Sequence, residues 1–239
     1  MKKTIWTLIL TVGVFCSMQA QNMFGKNPYK NLQDWDEQQM HYGYFLGFNR
    51  YDFKYEYPQS FYDKYGSNQI QVEGDTGFNV GLVGNLRIME YLDLRFEPGL
   101  YYAKRTITYP HINNPIHKVK HLSSTYIHMP LLLKVSTMRT GNIRPYLVGG
   151  FSESLNLSAR QNSKEDNYTG TFRMKKWTSN YELGFGVDLY FSTFKFSPSI
   201  RGVFGMQDEM IRDGNINSIF TGNVDALRTR AVFINFTFH

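Results

Sequence analysis

Seven charged side chains, Arg95, Glu97, Lys134, Glu182, Asp188, Lys195 and Arg201, stand in apolar surroundings along the sequence. Lys134 lies between Leu133 and Val135, Asp188 between Val187 and Leu189, and Lys195 between Phe194 and Phe196. Two carboxylates such as Glu182 and Asp188 could divide general acid and base work. Oppositely charged partners are available on the neighbouring segments, however, so mutual neutralisation in a packed interior explains them better. Three of the six histidines, His111, His117 and His121, share one polar stretch, but no cysteine or carboxylate recurs there at metal-ligand spacing. Ser123, Ser124 and His128 could be assembled into a nucleophile and base acting on lipid, yet nothing in their spacing demands it. His128, beside Lys134 on the same face, reads as a hydrogen-bonded filler. No phosphate loop, nucleophile elbow or dinucleotide fingerprint occurs. The expectation is therefore no enzyme, no cofactor, no metal and no small-molecule substrate.

The elements that carry these charges alternate with period two. From Trp177 to Phe191 every second residue except Ser179 is apolar or aromatic, with Thr178, Asn180, Glu182, Gly184, Gly186 and Asp188 between. The pattern resumes from Phe194 to Met206 after Ser192 and Thr193, which predicts a hairpin with a tight turn. Phe78 to Ile88 and Leu92 to Tyr102 form a second hairpin around Glu90. Ile127 to Val135, Tyr146 to Asn156 and Ala231 to Phe238 add further strands. In the stretch from Tyr42 to Tyr57 the apolar residues change parity at Asn49 and Arg50, which suggests a β-bulge. About eight strands result. They are joined alternately by short turns and by long polar connections at Pro58 to Thr76, Thr106 to Lys120, Arg160 to Lys176 and Gln207 to Val224.

The chain has 239 residues, 42% hydrophobic and 16% aromatic, with a single cysteine, Cys16. That is enough for one folded domain and excludes a disulfide framework. Lys2 and Lys3, an apolar Ile5 to Phe15 and the small or polar residues before Gln21 read as a secretory signal at 1–20. A polar tail at 21–40 follows, and then the strand-rich domain at 41–239. No other apolar run approaches the roughly 18 residues of a membrane helix. Removing Lys2 and Lys3 leaves a modest surplus of scattered basic residues, with no nucleic-acid footprint.

Charge position decides which face of the strands meets what. Lys195 or Arg201 turned toward lipid would cost roughly 2–4 kcal/mol each, whereas the opposite face carries only apolar and aromatic side chains. The expected fold is all-β, an eight-stranded antiparallel transmembrane β-barrel with an N-terminal signal peptide. The seven charges then form a polar network in a side-chain-filled interior. Aromatic clusters at Tyr101, Tyr102 and Tyr109, and at Trp177, Tyr190, Phe191 and Phe194, would be interfacial girdles. An even number of strands puts both termini of the mature chain on the periplasmic side of an outer membrane. The alternating end, from Val232 to His239 with Phe238 one residue from last, resembles the aromatic signal by which such barrels are recognised for insertion.

The stretch HYGYFLGFNRYDFKYEY from His41 to Tyr57, preceded by NLQDWDEQQM, resembles the opening of PorT proteins, as do IHMPLLLKV from Ile127 to Val135 and RPYLVGGFS from Arg144 to Ser152. The resemblance runs from about Asn31 to the end of the chain. The latter two blocks also occur in the broader family of PorT-like outer-membrane barrel domains. The resemblance implies an outer-membrane barrel required for assembly or function of the type IX protein secretion system, with lipid and other secretion components as partners. It carries over no catalytic residue. The alternative it leaves open is a general small barrel, PorT-like or OmpX-like, that stabilises the envelope or binds through its loops.

Overall fold

The computed structural model describes residues 30–66, 68–110, 112, 114, 118–159, 172–213 and 221–239. The expected signal at 1–20, most of the tail, His111, His117 and most of the connection from Arg160 lie outside the described residues. Among the described residues there are ten strands: β1 (Met40–Glu56), β2 (Gln71–Gly74), β3 (Thr76–Met89), β4 (Leu92–Phe96), β5 (Gly99–Thr108), β6 (Val119–Ser136), β7 (Ile143–Asn156), β8 (Trp177–Tyr190), β9 (Lys195–Gly205) and β10 (Ala226–Phe238). All pairings are antiparallel, and β1 bonds both β10 and β3, so the sheet closes on itself and has no free edge around most of its height. The expectation of eight strands meets ten. Only Asp75 separates β2 from β3, and both bond β5; only Glu97 and Pro98 separate β4 from β5, and both bond β6. Pro98 has no N–H to give to a ladder, which interrupts the strand there.

Alternation sorts side chains as the charge argument requires. On β8, Thr178, Asn180, Glu182 and Asp188 are buried, while Trp177, Tyr181, Leu183 and Phe185 are exposed. The outer surface of the ring is a continuous apolar band. Tyr42, Tyr44, Leu46 and Phe48 of β1 adjoin Val232 and Ile234 of β10 on one side and Phe78, Val80 and Leu82 of β3 on the other. A soluble protein rarely exposes so large an apolar surface, whereas bilayer hydrocarbon requires it.

The parity change in the first strand is not a bulge. The register with β10 runs unbroken from Tyr44 opposite Phe238 to Glu56 opposite Ala226. Tyr51 and Phe53 are buried because they point inward, while Arg50, Asp52 and Lys54 point outward. The apolar residues thus pass from the outside of the wall to the inside as the strand rises past the apolar band. A register irregularity does occur between Arg87 and Met89, beside the turn into β4.

The end bearing the long connections is closed by an apolar cap. Ile70, Ile112, Met174, Met210 and Val224 come from all four connections and pack with Phe53, Ile107, Tyr109 and Leu227 in one buried cluster. The connection expected to be a loop from Pro58 to Thr76 contains a short helix, Gln59–Tyr65, and β2. Tyr101, Tyr109 and Tyr190, expected in interfacial girdles, are buried inside, whereas Trp177, Phe191 and Phe194 are exposed at the strand ends. Strand-end position alone does not say on which side of the wall a ring stands; parity does.

Gly47 faces inward against the wall, where an added Cβ would come under 3.0 Å from the Ile234 carbonyl oxygen and from the side chains of Asn235 and Asn79. Gly47→Leu is expected to lose the heat-modifiable folded band on gels after refolding into detergent. Leu46→Ala, one residue away on the outer face, should keep it.

Candidate functional site

β4, β6, β8 and β9 and the break between β4 and β5 each send charged residues into the interior. Arg95, Glu97, Lys134, Glu182, Asp188, Lys195 and Arg201 are all buried, none more than 4% exposed. Arg95 Nε stands 2.5 Å from Glu97 Oε1, and Arg201 Nη2 stands 2.7 Å from Glu97 Oε2. Arg201 Nη1 reaches Glu182 Oε2 at 3.5 Å. Asp188 forms the second centre: Lys134 Nζ lies 2.6 Å from its Oδ2 and Lys195 Nζ 3.8 Å, and Ser197 Oγ donates to its Oδ1 at 2.6 Å. The Lys134 ammonium also lies 4.2 Å from the centroid of Tyr146. Each such ion costs several kcal/mol to remove from water, so every one must find a partner.

His128, fully buried on β6, joins this layer to an arrangement the sequence did not single out. Its Nε2 lies 2.6 Å from Glu182 Oε1, and its Nδ1 lies 2.7 Å from Ser154 Oγ. A carboxylate only accepts, so Nε2 carries the proton. The order serine, histidine, carboxylate is that of an activated nucleophile. Here it is enclosed: the imidazole stands edge-on to Tyr101 and Phe233, with centroids 4.9 and 5.4 Å away, and Ser154 is itself buried. Ser123 and Ser124 do not join His128. Ser124 is buried elsewhere on β6, opposite Ala103, and Ser123 lies on the other face of the strand. His121 bonds Thr106 on the surface, and among the described residues no three histidines, cysteines or carboxylates are grouped to hold a metal.

Other polar contacts inside the barrel were also not legible in the sequence. Asn49 donates to Asn79 and Asn79 to Asn235, at 3.3 and 2.6 Å, forming a chain across three strands. Arg105 is buried with its guanidinium 4.0 Å from the centroid of Phe53 and donates to the Tyr126 hydroxyl. Glu209, below the apolar cap, accepts from the backbone and the hydroxyl of Thr229 at 2.8 and 2.7 Å, and burial raises its carboxyl above the ordinary range. Polar residues on a period-two strand signal an inward face but not which residue across the lumen they meet.

The end with the short turns is closed by the chain that precedes β1. Asn31 donates its backbone N–H to Asn142 Oδ1 at 2.9 Å and its side-chain amide to the Tyr190 carbonyl at 3.0 Å. Leu32 adopts φ 49°, a left-handed conformation that costs a non-glycine residue about 1–2 kcal/mol. Asp36 lies 3.2 Å from both Arg139 Nη1 and Arg144 Nη1 and accepts from the Tyr190 hydroxyl at 2.7 Å. Trp35 stacks on His41 with centroids 4.8 Å apart. Burial by itself would raise the Asp36 carboxyl, but the Tyr190 hydrogen bond and the two guanidinium groups outweigh it and hold it below the usual carboxylate value. A polar cleft of about 270 Å³ lies beside this latch, bounded by Lys30, Arg87, Glu90, Arg139 and Arg144.

A closed antiparallel ring, apolar outside and ionic within, defines an outer-membrane β-barrel. The chain belongs to the family described as outer membrane protein beta-barrel domain, whose model matches residues 9–210. Among solved structures it is similar to OprG from Pseudomonas aeruginosa, at 13% identity over 84% of this chain and 96% of that one, with a TM-score of 0.43. It is similar to Neisserial surface protein A at 11% identity over 84% and 98%, with a TM-score of 0.45. For AlkL the values are 12% identity, 88% and 90%, and 0.41. No curated protein matches the sequence.

Asp188→Ala leaves Lys134 and Lys195 buried without their shared carboxylate and is expected to destabilise the barrel by about 3–5 kcal/mol in urea titrations in detergent. Replacing all three together, Asp188→Leu with Lys134→Met and Lys195→Met, should recover most of that loss. The latch has its own pH signature. Because the folded value of Asp36 is lowered, its contribution is complete above the ordinary value of 3.8 and disappears as pH falls below it. In a W6F/W177F variant, Trp35 emission should shift to the red only below that pH, and Asp36→Asn should produce the shift at neutral pH.

Proposed function

We propose that this protein is a non-enzymatic outer-membrane barrel required for assembly or function of the type IX protein secretion system. The observation that supports this reading is the filled interior. The ionic layer around Glu97, Glu182 and Asp188 is almost wholly buried, the apolar cap covers one end, and the Asn31 to Asp36 segment latches across the other. A barrel packed in this way does not serve as the conduit for an exported protein, so its role lies with its surfaces. On this reading β2 with β3, and β4 with β5, each act as one crossing, making eight. Residues 1–20 are removed as a signal, and both ends of the mature chain face the periplasm. The latched tail then presents Lys30, Asp34 and Glu37 to other components of the machine. The His128, Ser154 and Glu182 group serves as packing, since all three side chains are buried.

Deleting the gene tests the reading. Cargo of the secretion system should accumulate in the periplasm and be exported again when the wild-type gene is restored. Complementation with Asp36→Arg should insert a heat-modifiable barrel without restoring export. Normal export in the deletion strain, with loss of envelope integrity or of adhesion instead, would favour the general small-barrel reading. Purified protein in planar bilayers should show no stepwise ion conductance.

A further inference from the structure

The outer wall changes character along β1 and β10. On β1 the outward residues are apolar from Met40 to Phe48, and above them stand Arg50, Asp52, Lys54 and Glu56. On β10 the outward series Phe236, Ile234 and Val232 gives way to Arg230 and Arg228. Arg50 is opposite Val232 and Asp52 opposite Arg230, so the two strands cross from apolar to ionic within one outward position of each other. The nine residues from Met40 to Phe48 are close to the roughly 9–11 that a tilted strand needs to cross the hydrocarbon, so this height is where lipid head groups would begin.

The ionic side chains above this boundary are not equally satisfied. Lys54 and Arg228 both close on Glu56, at 3.2 and 2.8 Å. Arg50 and Arg230 form no ion pair with any described residue. Asp52, opposite Arg230 and two residues from Arg50, accepts from the Phe53 N–H at 2.7 Å. Beside these two guanidinium groups, and lined also by Asp52, a groove of about 430 Å³ runs from Val72 and Gly74 of β2 across β1 and β10 to β9. Gly202 contributes no side chain to its floor, and Phe204 and Val232 flank it with apolar surface. Two cations without an ion-pair partner at the head-group level, adjoining a trough whose surface is apolar at Val232, Gly202 and Phe204, match a molecule with an anionic head and a hydrocarbon chain.

We propose that Arg50 and Arg230 clamp the phosphate of a lipid whose acyl chain lies in the adjoining groove. Guanidinium groups grip phosphate oxygens bidentately, and at a membrane surface the contact is only partly screened by water. The trough supplies the apolar half of the recognition. Beyond Arg50 the ladder between β1 and β3 ends, and Gly74 of β2 lies against the Tyr51 carbonyl and the Arg50 side chain. A lipid in the groove would span β2, β1, β10 and β9. The proposal rests on the outer band lying in lipid and is independent of any role in secretion.

The test is native mass spectrometry of the purified barrel in detergent with dioleoyl phosphatidic acid, dioleoylglycerol and inorganic phosphate as probes. Phosphatidic acid should be retained at one saturable site, and R50Q/R230Q should weaken retention at least tenfold, while R228Q leaves it within twofold. Gly202→Leu, which fills the trough and keeps both arginines, should weaken it as well. All four proteins must show the heat-modifiable band, which these outward substitutions should preserve. Equal retention by R50Q/R230Q would overturn the clamp. Equal binding of dioleoylglycerol would leave an apolar groove without a phosphate site. Full displacement of the lipid by millimolar inorganic phosphate would identify a free-anion site and overturn the lipid assignment.

Discussion

The burial of ionised groups inside a wall that has hydrocarbon on its other side is the constraint from which the rest of this structure follows. Arg201 touches both Glu97 and Glu182, and Asp188 serves both Lys134 and Lys195, so four strands and one strand break are bound through three carboxylates. A slip of one residue in any of those strands would turn its charges outward and its aromatics inward together. The ionic layer therefore specifies register as much as it fills space. Closure of the sheet through β1, β3 and β10 is what lets the layer exist, because only a closed ring hides both the charges and the strand edges.

The two ends of the cylinder are sealed by different physics. At the long-connection end, side chains from every connection join an apolar cluster, so segments rich in polar residues are held by a few isoleucine, methionine and valine anchors. At the other end the closure is ionic and hydrogen-bonded. Arg139 stacks on Tyr190 with its guanidinium carbon 3.6 Å from the ring centroid, while it also donates to the carbonyls of Asn31 and Leu32. The cap resembles a protein core and depends on excluding water. The latch depends on charge.

Much of this was legible before any tertiary structure. Glu182, Asp188, Lys195 and Arg201 declare an inward face because they recur at even spacing among residues suited to lipid. The hairpin at Ser192 and Thr193 follows from the shortness of the interruption. The change of parity at Asn49 and Arg50 was legible too, but its meaning was not. A bulge and a strand that leaves the bilayer produce the same string of residues, and only the unbroken pairing with β10 separates them. The same ambiguity misplaces Tyr101, Tyr109 and Tyr190, since tyrosine suits an interfacial girdle and a packed lumen equally well. His128 and Ser154 lie 26 positions apart on adjacent strands, and no local spacing announces that they touch.

By itself the sequence determined the all-β class, the period-two alternation of the long strands and the presence of charges that had to be hidden, though not Arg105 or Glu209 among them. All three follow from the spacing of residue types and from the cost of placing an ion in hydrocarbon, and both operate between near neighbours along one strand. The tertiary structure alone decided which carboxylate serves which cation, that ten hydrogen-bonded strands make the ring, that His128 lies between Ser154 and Glu182, and that Asp36 returns to lock the turn end. These depend on register between strands and on distances across the lumen, where partners far apart in the chain meet only after the ring has closed.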